Sequence, residues 1–396
     1  MRLLPLLAPL LVFGVVVFVH ELGHFLAAKA VGIYAPVFSL GWGRRIWGFR
    51  RGETDYRLSL FPIGGYVRMA SREDESMAAF EGGAGRGALD ANDPARGEPG
   101  IPWDPEALVP FGPKPVPNNR WFESKPLTAK LIVMLAGVTM NFLLAIVVVA
   151  GVRMANGAPN PAALIGSVLP GSPALSAGLQ SGDSVTVIDG VRIDDWAGLV
   201  AAVSAKQAVP LAFEFVRRGA VQNVLITPAA ATEVNPETGK ERTVGRIGAA
   251  SARISVGPIG GLIAGGTYTW ETVVSTVRVL GGLISGKVSP KQLGGPIMIA
   301  QASFETAKAG GLTAVLMLLA LISVNIAVLN LLPVPVLDGG QVLLATLESV
   351  RGKPLGERAK GVMMYAGVGL VLLLLITTTF NDLARVGAQM LQRFRG

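Results

Sequence analysis

His20-Glu21-Leu22-Gly23-His24 stands near the end of an apolar stretch that runs from Leu3 to about Val31. That stretch is long enough to cross a bilayer as a helix. On a helix the two histidines, four residues apart, project from one face and can grip one metal ion. Glu21 lies about 100° round the helix from His20, near enough to handle a metal-activated water without being a ligand. The chain has only two histidines, and both are in this motif. The ordinary alternative is a chance match around core histidines. Ionisable groups at membrane depth are costly, however, and mark function by default. Arg2, the apolar run and the small residues near Ala27 and Ala30 also resemble a secretory signal peptide, but the run is long for that class and reads as a retained span.

Composition points the same way. Of 396 residues, 51% are hydrophobic and only 16% charged, with a mean hydropathy of +0.50, which implies several membrane spans. The net charge of +8 is not accompanied by a basic-aromatic cluster, so nucleic acid is not an expected partner. Lys and Arg beside membrane spans account for it more simply. Cysteine is absent, which excludes thiol catalysis, zinc-thiolate sites and disulfides.

In order, residues 1–32 form the first span with H-E-x-x-H. Arg44, Arg45, Arg50 and Arg51 follow it against Arg2 before it, which places the N-terminus outside and the histidines in the cytoplasmic half. Residues 33–70 read as a cytoplasmic β-hairpin, with Tyr56–Leu60 and Tyr66–Met69 as strands around a Pro62-Ile63-Gly64-Gly65 turn. Such a hairpin is either a plain structural element or an exposed edge beside the metal that pairs with an extended substrate. Residues 71–127, rich in Gly, Pro and acidic side chains, read as a flexible cytoplasmic loop that Trp103 and Phe111 could dock. Residues 128–152 form a second span, in which Asn141 reads first as an interhelical hydrogen-bonding residue and second as a catalytic one.

Residues 156–230 have the pattern of a compact α/β module, extracytoplasmic by span parity. Ile165–Leu169, Val185–Ile188 and Leu211–Val216 read as strands, Asp195 to about Ala205 as a helix, and Asp189-Gly190 as a turn. Residues 231–311 read as an extracytoplasmic linker in which Trp270 to about Ile284 forms an amphipathic surface helix. Residues 312–335 make a third span that unwinds at Pro333 and Pro335, residues 336–361 an inner segment with Asp338, residues 362–381 a fourth span and 382–396 a tail.

Zinc catalysis needs three protein ligands and one open position. With His20 and His24 as two, and no further His or Cys, the third is a carboxylate or an unusual ligand. Asp338 has the right depth on an unwound segment; taken alone it would read as a turn or capping residue before Gly339-Gly340. Glu348 lies farther along, and Asp382 falls on the other side of the membrane. Glu21 is then the general base, and Zn2+ is the ion that best suits imidazole with carboxylate.

These stretches together resemble the site-2 protease family, specifically its bacterial RseP-type group. The resemblance rests on His20-Glu21-Leu22-Gly23-His24 and on Asn330-Leu331-Leu332-Pro333-Val334-Pro335-Val336-Leu337-Asp338-Gly339. Supporting matches are Phe61–Arg68, Asn118-Asn119, Ala136-Gly137 with Asn141-Phe142, Gly294–Ile297, and a PDZ-like stretch from Gly171 to Asp183. It implies a polytopic α-helical membrane protein of four transmembrane helices, with a membrane-associated β-hairpin and an inserted extracytoplasmic PDZ-like α/β domain. It also implies regulated intramembrane proteolysis in a bacterial inner membrane, on single-span proteins such as anti-sigma factors or signal-peptide remnants. By motif, His20, His24 and Asp338 hold zinc, Glu21 is the base, Asn330 orients the substrate backbone, and Gly64 and Gly65 belong to the hairpin that extends the substrate. The chain departs from the group in having one PDZ-like module rather than two, and in Val138 where the second span usually carries proline.

Two other readings compete. One is a membrane-bound zinc protease cutting soluble peptides at the inner face, with Glu348 as third ligand. The other is a metal transporter, or an inactive metal-binding scaffold that uses the PDZ-like module to hold partners. Transport would predict polar residues along several spans, and a scaffold would not need Glu21.

Overall fold

The computed structural model describes residues 3–71, 118–234, 241–289, 294–353 and 355–395. Along the chain, α1 (Leu4–Ala30) is followed by β1 (Val37–Arg51), β2 (Thr54–Arg68) and α2 (Leu127–Asn156). Next come β3 (Ala158–Pro159), β4 (Ile165–Val168), α3 (Pro173–Ser176), β5 (Ser184–Ile188), β6 (Val191–Arg192) and α4 (Trp196–Ser204). Then follow β7 (Leu211–Arg217), β8 (Ala220–Ile226), β9 (Ala229–Val234), β10 (Glu241–Arg246), β11 (Ala249–Ser251) and β12 (Arg253–Ile254). The chain closes with α5 (Pro258–Ile284), α6 (Pro296–Asn330), α7 (Asp338–Arg351) and α8 (Glu357–Arg395). They fall into two compact units, Met1–Val148 with Leu293–Gly396, and Val149–Gln292.

Among the described residues, four helical segments are long and apolar enough to cross a membrane: Leu4–Ala30, Leu127–Asn156, Pro296–Asn330 and Arg358–Gly387. In the first unit, Ala8, Val12 and Val16 form one stripe of α1 at helical spacing and pack against Val315, Leu319 and Ile322 of α6. Gly23 brings α1 against α2, because a Cβ there would stand 2.5 Å from the Ala136 carbonyl oxygen. Leu370–Ile376 of α8 point outward, as a lipid-facing surface does. Asp382 of α8 accepts the backbone N–H groups of Gly295 and Met298, capping the start of α6.

The strand region differs from the expected hairpin. Its tight turn lies at Gly52-Glu53, where Gly52 takes φ 61°, and Arg51 pairs with Thr54. Pro62–Gly65 sits inside β2 instead of forming the turn. Tyr56–Leu58 and Gly65–Val67 do not pair with each other; they flank Leu40–Phe38 on its two edges. Local alternation identified these strands but carried no information about their partners. Glu53 ties the turn to Lys29 of α1 (2.5 Å) and to both terminal nitrogens of Arg120 (2.8 Å each).

The predicted loop lies largely outside the described residues, and so do Trp103 and Phe111. Other boundaries move. Helix α6 starts at Pro296 within the expected linker, and Gly311 (φ 60°) breaks it one residue before the expected span. Asp338–Arg351 is helical, and α8 continues through the expected tail to Arg395.

In the second unit, an antiparallel sheet runs β6-β5-β7-β8. Ile165, Leu179, Val185, Leu211, Phe213 and Ile226 fill its core with Leu199 and Val203 of α4. Asp195 caps α4 by accepting the Gly198 N–H, and Asp189-Gly190 is a turn with both residues at positive φ, as the sequence predicts. This unit extends past the expected residue 230: β11 pairs with β4 from about eighty residues away, a long-range pairing that leaves no local pattern. The expected linker thus contains strands β9 to β12, and its helix starts at Pro258 rather than Trp270.

Candidate metal centre

His20 and His24 stand one turn apart on α1, with their Nε2 atoms 3.1 Å from each other. Both residues are buried. Asp338 approaches from the start of α7, with Oδ2 3.3 Å from His20 Nε2 and Oδ1 3.5 Å from His24 Nε2. One ligand atom from each lies within 4.8 Å of the other two. A tetrahedral zinc site with bonds of about 2.0–2.1 Å sets neighbouring ligand atoms about 3.3–3.4 Å apart, and these three fit it. Asp338 Oδ2 is buried and makes no hydrogen bond, as a ligand oxygen awaiting a cation would. His24 Nδ1 lies 2.8 Å from the Val133 carbonyl oxygen. A carbonyl only accepts, so this nitrogen carries the proton, and the Nε2 lone pair faces the centre.

The path of the chain explains how Asp338 arrives. Helix α6 ends at Asn330, and Pro333 and Pro335 prevent its continuation. The turn that follows is tight: the Val334 N–H bonds Leu332 (2.7 Å) and the Leu337 N–H bonds Val334 (2.8 Å). Gly340 packs against the Val334 carbonyl and Gly339 against that of Leu331, leaving no space for a side chain at either position. Gln341 fastens the turn from α7 by donating to the Pro335 carbonyl (2.8 Å). Asp338 occupies the first turn of α7, where the helix dipole favours a carboxylate.

A cavity of about 510 Å³ opens beside the three ligands and is lined by Glu21, Asn330, Gly64, Gly65, Trp42 and Met134 among others. Gly65 lies over Glu21, and a Cβ there would be 3.2 Å from Glu21 Cγ. Asn330 Nδ2 reaches to 3.4 Å from His20 Nε2. All seven residues expected from the sequence therefore meet around one cavity. The competing third ligand does not: Glu348 accepts from Lys360 (3.0 Å) and from the Leu355 N–H (2.8 Å) and, among the described residues, belongs to no such cluster.

Two features were not read from the sequence. The Val133 carbonyl is backbone and leaves no signal. Gly137 was noted only as a motif match, yet a Cβ on it would stand 2.8 Å from His20 Cε1. Asn141 makes the interhelical contact expected of it first, with Nδ2 3.3 Å from His20 Nδ1 on α1. Gly137 and Asn141 are four residues apart and share one face of α2, and that spacing is the signal that could have found Gly137. Chemically, two imidazoles and one carboxylate beside a cavity, with Glu21 as a second carboxylate on its wall, suit metal-assisted hydrolysis.

Residues 8–374 match the family described as "Peptidase family M50". The chain is 31% identical over 415 residues to "Zinc metalloprotease RasP" of Geobacillus kaustophilus, covering 95% of this chain and 97% of that protein. It is 29% identical to "Regulator of sigma-W protease RasP" of Bacillus subtilis, covering 96% and 98%. It is 30% identical to "Zinc metalloprotease RasP" of Oceanobacillus iheyensis, covering 95% and 98%.

Proposed function

The chain belongs to peptidase family M50, and on that premise we propose that it hydrolyses peptide bonds within the membrane-spanning segments of single-span proteins. It is a zinc metalloprotease and a multi-pass membrane protein. The observation that carries the proposal is the meeting of His20 and His24 with Asp338, three hundred residues away, beside Glu21 in one cavity among apolar helices.

In this reading His20, His24 and Asp338 hold the ion. Bound there, zinc supplies Lewis-acid chemistry, polarising the scissile carbonyl and making water a nucleophile near neutral pH. Glu21 takes the proton of the attacking water and delivers it to the leaving amine. Asn330 donates its amide to the substrate backbone from beside His20. The Gly64-Gly65 edge, with no side chains to intervene, pairs with an extended substrate segment. Extension is required because a helix shields its own peptide bonds.

The sigma-W regulator named among the relatives supports anti-sigma factors as one substrate class; signal-peptide remnants are a second class, carried only by the resemblance to the RseP-type group. The unit Val149–Gln292 supports a PDZ-like reading through its strand order, its capped helix and the Gly171–Asp183 stretch. Arginine placement supports an inner-membrane orientation with this unit and the N-terminus outside and the metal site toward the cytoplasm.

The deciding experiment uses purified wild type, Glu21→Gln and Asp338→Asn. Each is assayed for bound zinc and for cleavage of a single-span reporter and of a soluble peptide. Glu21→Gln keeps zinc and loses cleavage, whereas Asp338→Asn loses both. Cleavage by Glu21→Gln overturns the mechanism, and preference for the soluble peptide overturns the substrate class.

A further inference from the structure

We propose that Asn141 is a positioning residue of the metal centre: its amide oxygen accepts the Nδ1–H of His20 and holds the tautomer that turns Nε2 toward the ion. The inference rests on the metal-centre reading above and adds what orients its first ligand.

His20 Nε2 faces His24 Nε2 at 3.1 Å and Asp338 Oδ2 at 3.3 Å. To ligate from there, Nε2 must offer its lone pair, which places the ring proton on Nδ1. The neighbour of Nδ1 is the side-chain amide of Asn141, 3.3 Å away and fully buried. In the orientation seen, Nδ2 points at the ring while Oδ1 is buried without a hydrogen bond. Half a turn about the Cβ–Cγ bond exchanges the two atoms in nearly the same space. It supplies the acceptor that a protonated Nδ1 needs. The backbone of Asn141 is itself fixed, since Ser323 of α6 donates to its carbonyl at 2.8 Å.

The same helix treats both imidazoles alike. Val133 gives its carbonyl to His24 Nδ1, and Asn141, two turns later on that face of α2, sets its side-chain amide against His20 Nδ1, where the flipped amide gives its oxygen. Gly137 lies midway and makes room for both rings. Metal-ligating histidines are generally held this way by a partner on the second nitrogen. Near the end of α1, His20 and His24 are thus read by one stripe of α2, residues 133, 137 and 141.

The test uses the full-length protein in detergent. Zinc affinity is measured by chelator competition for wild type, Asn141→Asp and Asn141→Leu. Asn141→Asp retains an acceptor and binds zinc within about threefold of wild type, while Asn141→Leu loses affinity about 10–100-fold. A purely structural role predicts the reverse ranking, because aspartate buries a charge and leucine does not. The second readout needs no variant. Both histidines of the chain lie in this site, so 15N-histidine labelling of zinc-loaded wild type reports the two rings alone. His20 is expected with Nδ1 protonated and Nε2 on the metal. Coordination through His20 Nδ1, undiminished affinity in Asn141→Leu, or equal losses in both variants overturns the inference alone. Wild type that binds no zinc overturns the metal-centre reading with it.

Discussion

Gly137 of α2 and His24 of α1 are in such close contact that no side chain fits between them; a Cβ on Gly137 would also meet His24 Cε1 at 2.8 Å. A methyl group on Gly137 would meet both imidazoles and push the rings off the centre. Gly137→Ala is therefore expected to lower zinc affinity on the order of 10–100-fold while α2 remains helical. Metal analysis of the purified variant against wild type decides it, and full zinc occupancy would refute the contact.

The turn that delivers Asp338 makes a parallel demand. At Gly340 a Cβ would stand 2.6 Å from Pro335 N and closer to the Val334 carbonyl, whereas at Gly356 it would meet nothing within 4 Å. Gly340→Ala should cost about 1–3 kcal/mol and displace Asp338. Lower thermal stability with lost zinc is the expected outcome, and Gly356→Ala should match wild type in both. Equal behaviour of the two variants would contradict this account of the turn.

Gly65 tests the cavity without touching a ligand. A Cβ there would lie 2.8 Å from the Ser39 carbonyl oxygen and 3.2 Å from Glu21 Cγ. Gly65→Val should keep zinc yet reduce kcat/KM by roughly 100-fold, because misplacing the reacting groups by about 1 Å costs that much. Steady-state kinetics with zinc quantitation separates it from Gly137→Ala. Loss of zinc in Gly65→Val would show that the strand supports the ligands rather than the substrate.

In the second unit, acid sensitivity follows from Asp183. Burial pushes its carboxyl up, but bidentate bonds from Arg217 (2.7 Å each) and the Gln180 N–H outweigh this and hold it below the ordinary carboxylate value. With the folded value below the unfolded one, the stabilisation is complete above the ordinary carboxylate range and fades as pH falls toward the lowered value. Hydrogen exchange of Ser184–Ile188 and Leu211–Arg217 in the full chain should quicken across that window beyond its intrinsic pH dependence. Asp183→Asn should flatten the effect; an unchanged slope would assign it elsewhere.

The parts of this architecture legible in the sequence were those encoded locally. Apolar runs marked the four helices that are long and apolar enough to cross a membrane, and four-residue spacing put both histidines on one face. Pro333 and Pro335 announced the unwinding that places Asp338. Pairing was not legible, because a strand's alternation says nothing about its neighbour: Leu40–Phe38 takes partners on both edges, and Ala249–Ser251 closes onto Ile165–Val168 from far along the chain. Nor could the sequence show which backbone atoms meet the imidazoles. A carbonyl such as that of Val133 has no residue type, and Gly137 gains meaning only once α1 is laid against α2.

The pairing of Leu40–Phe38 on both edges has a mechanical result. A strand bonded to neighbours on each side cannot slide by one position without breaking two ladders at once. Gly65 belongs to one of those ladders, so the roof above Glu21 is hung on main-chain bonds. Where detergent replaces lipid and loosens packed helices, that roof keeps its height.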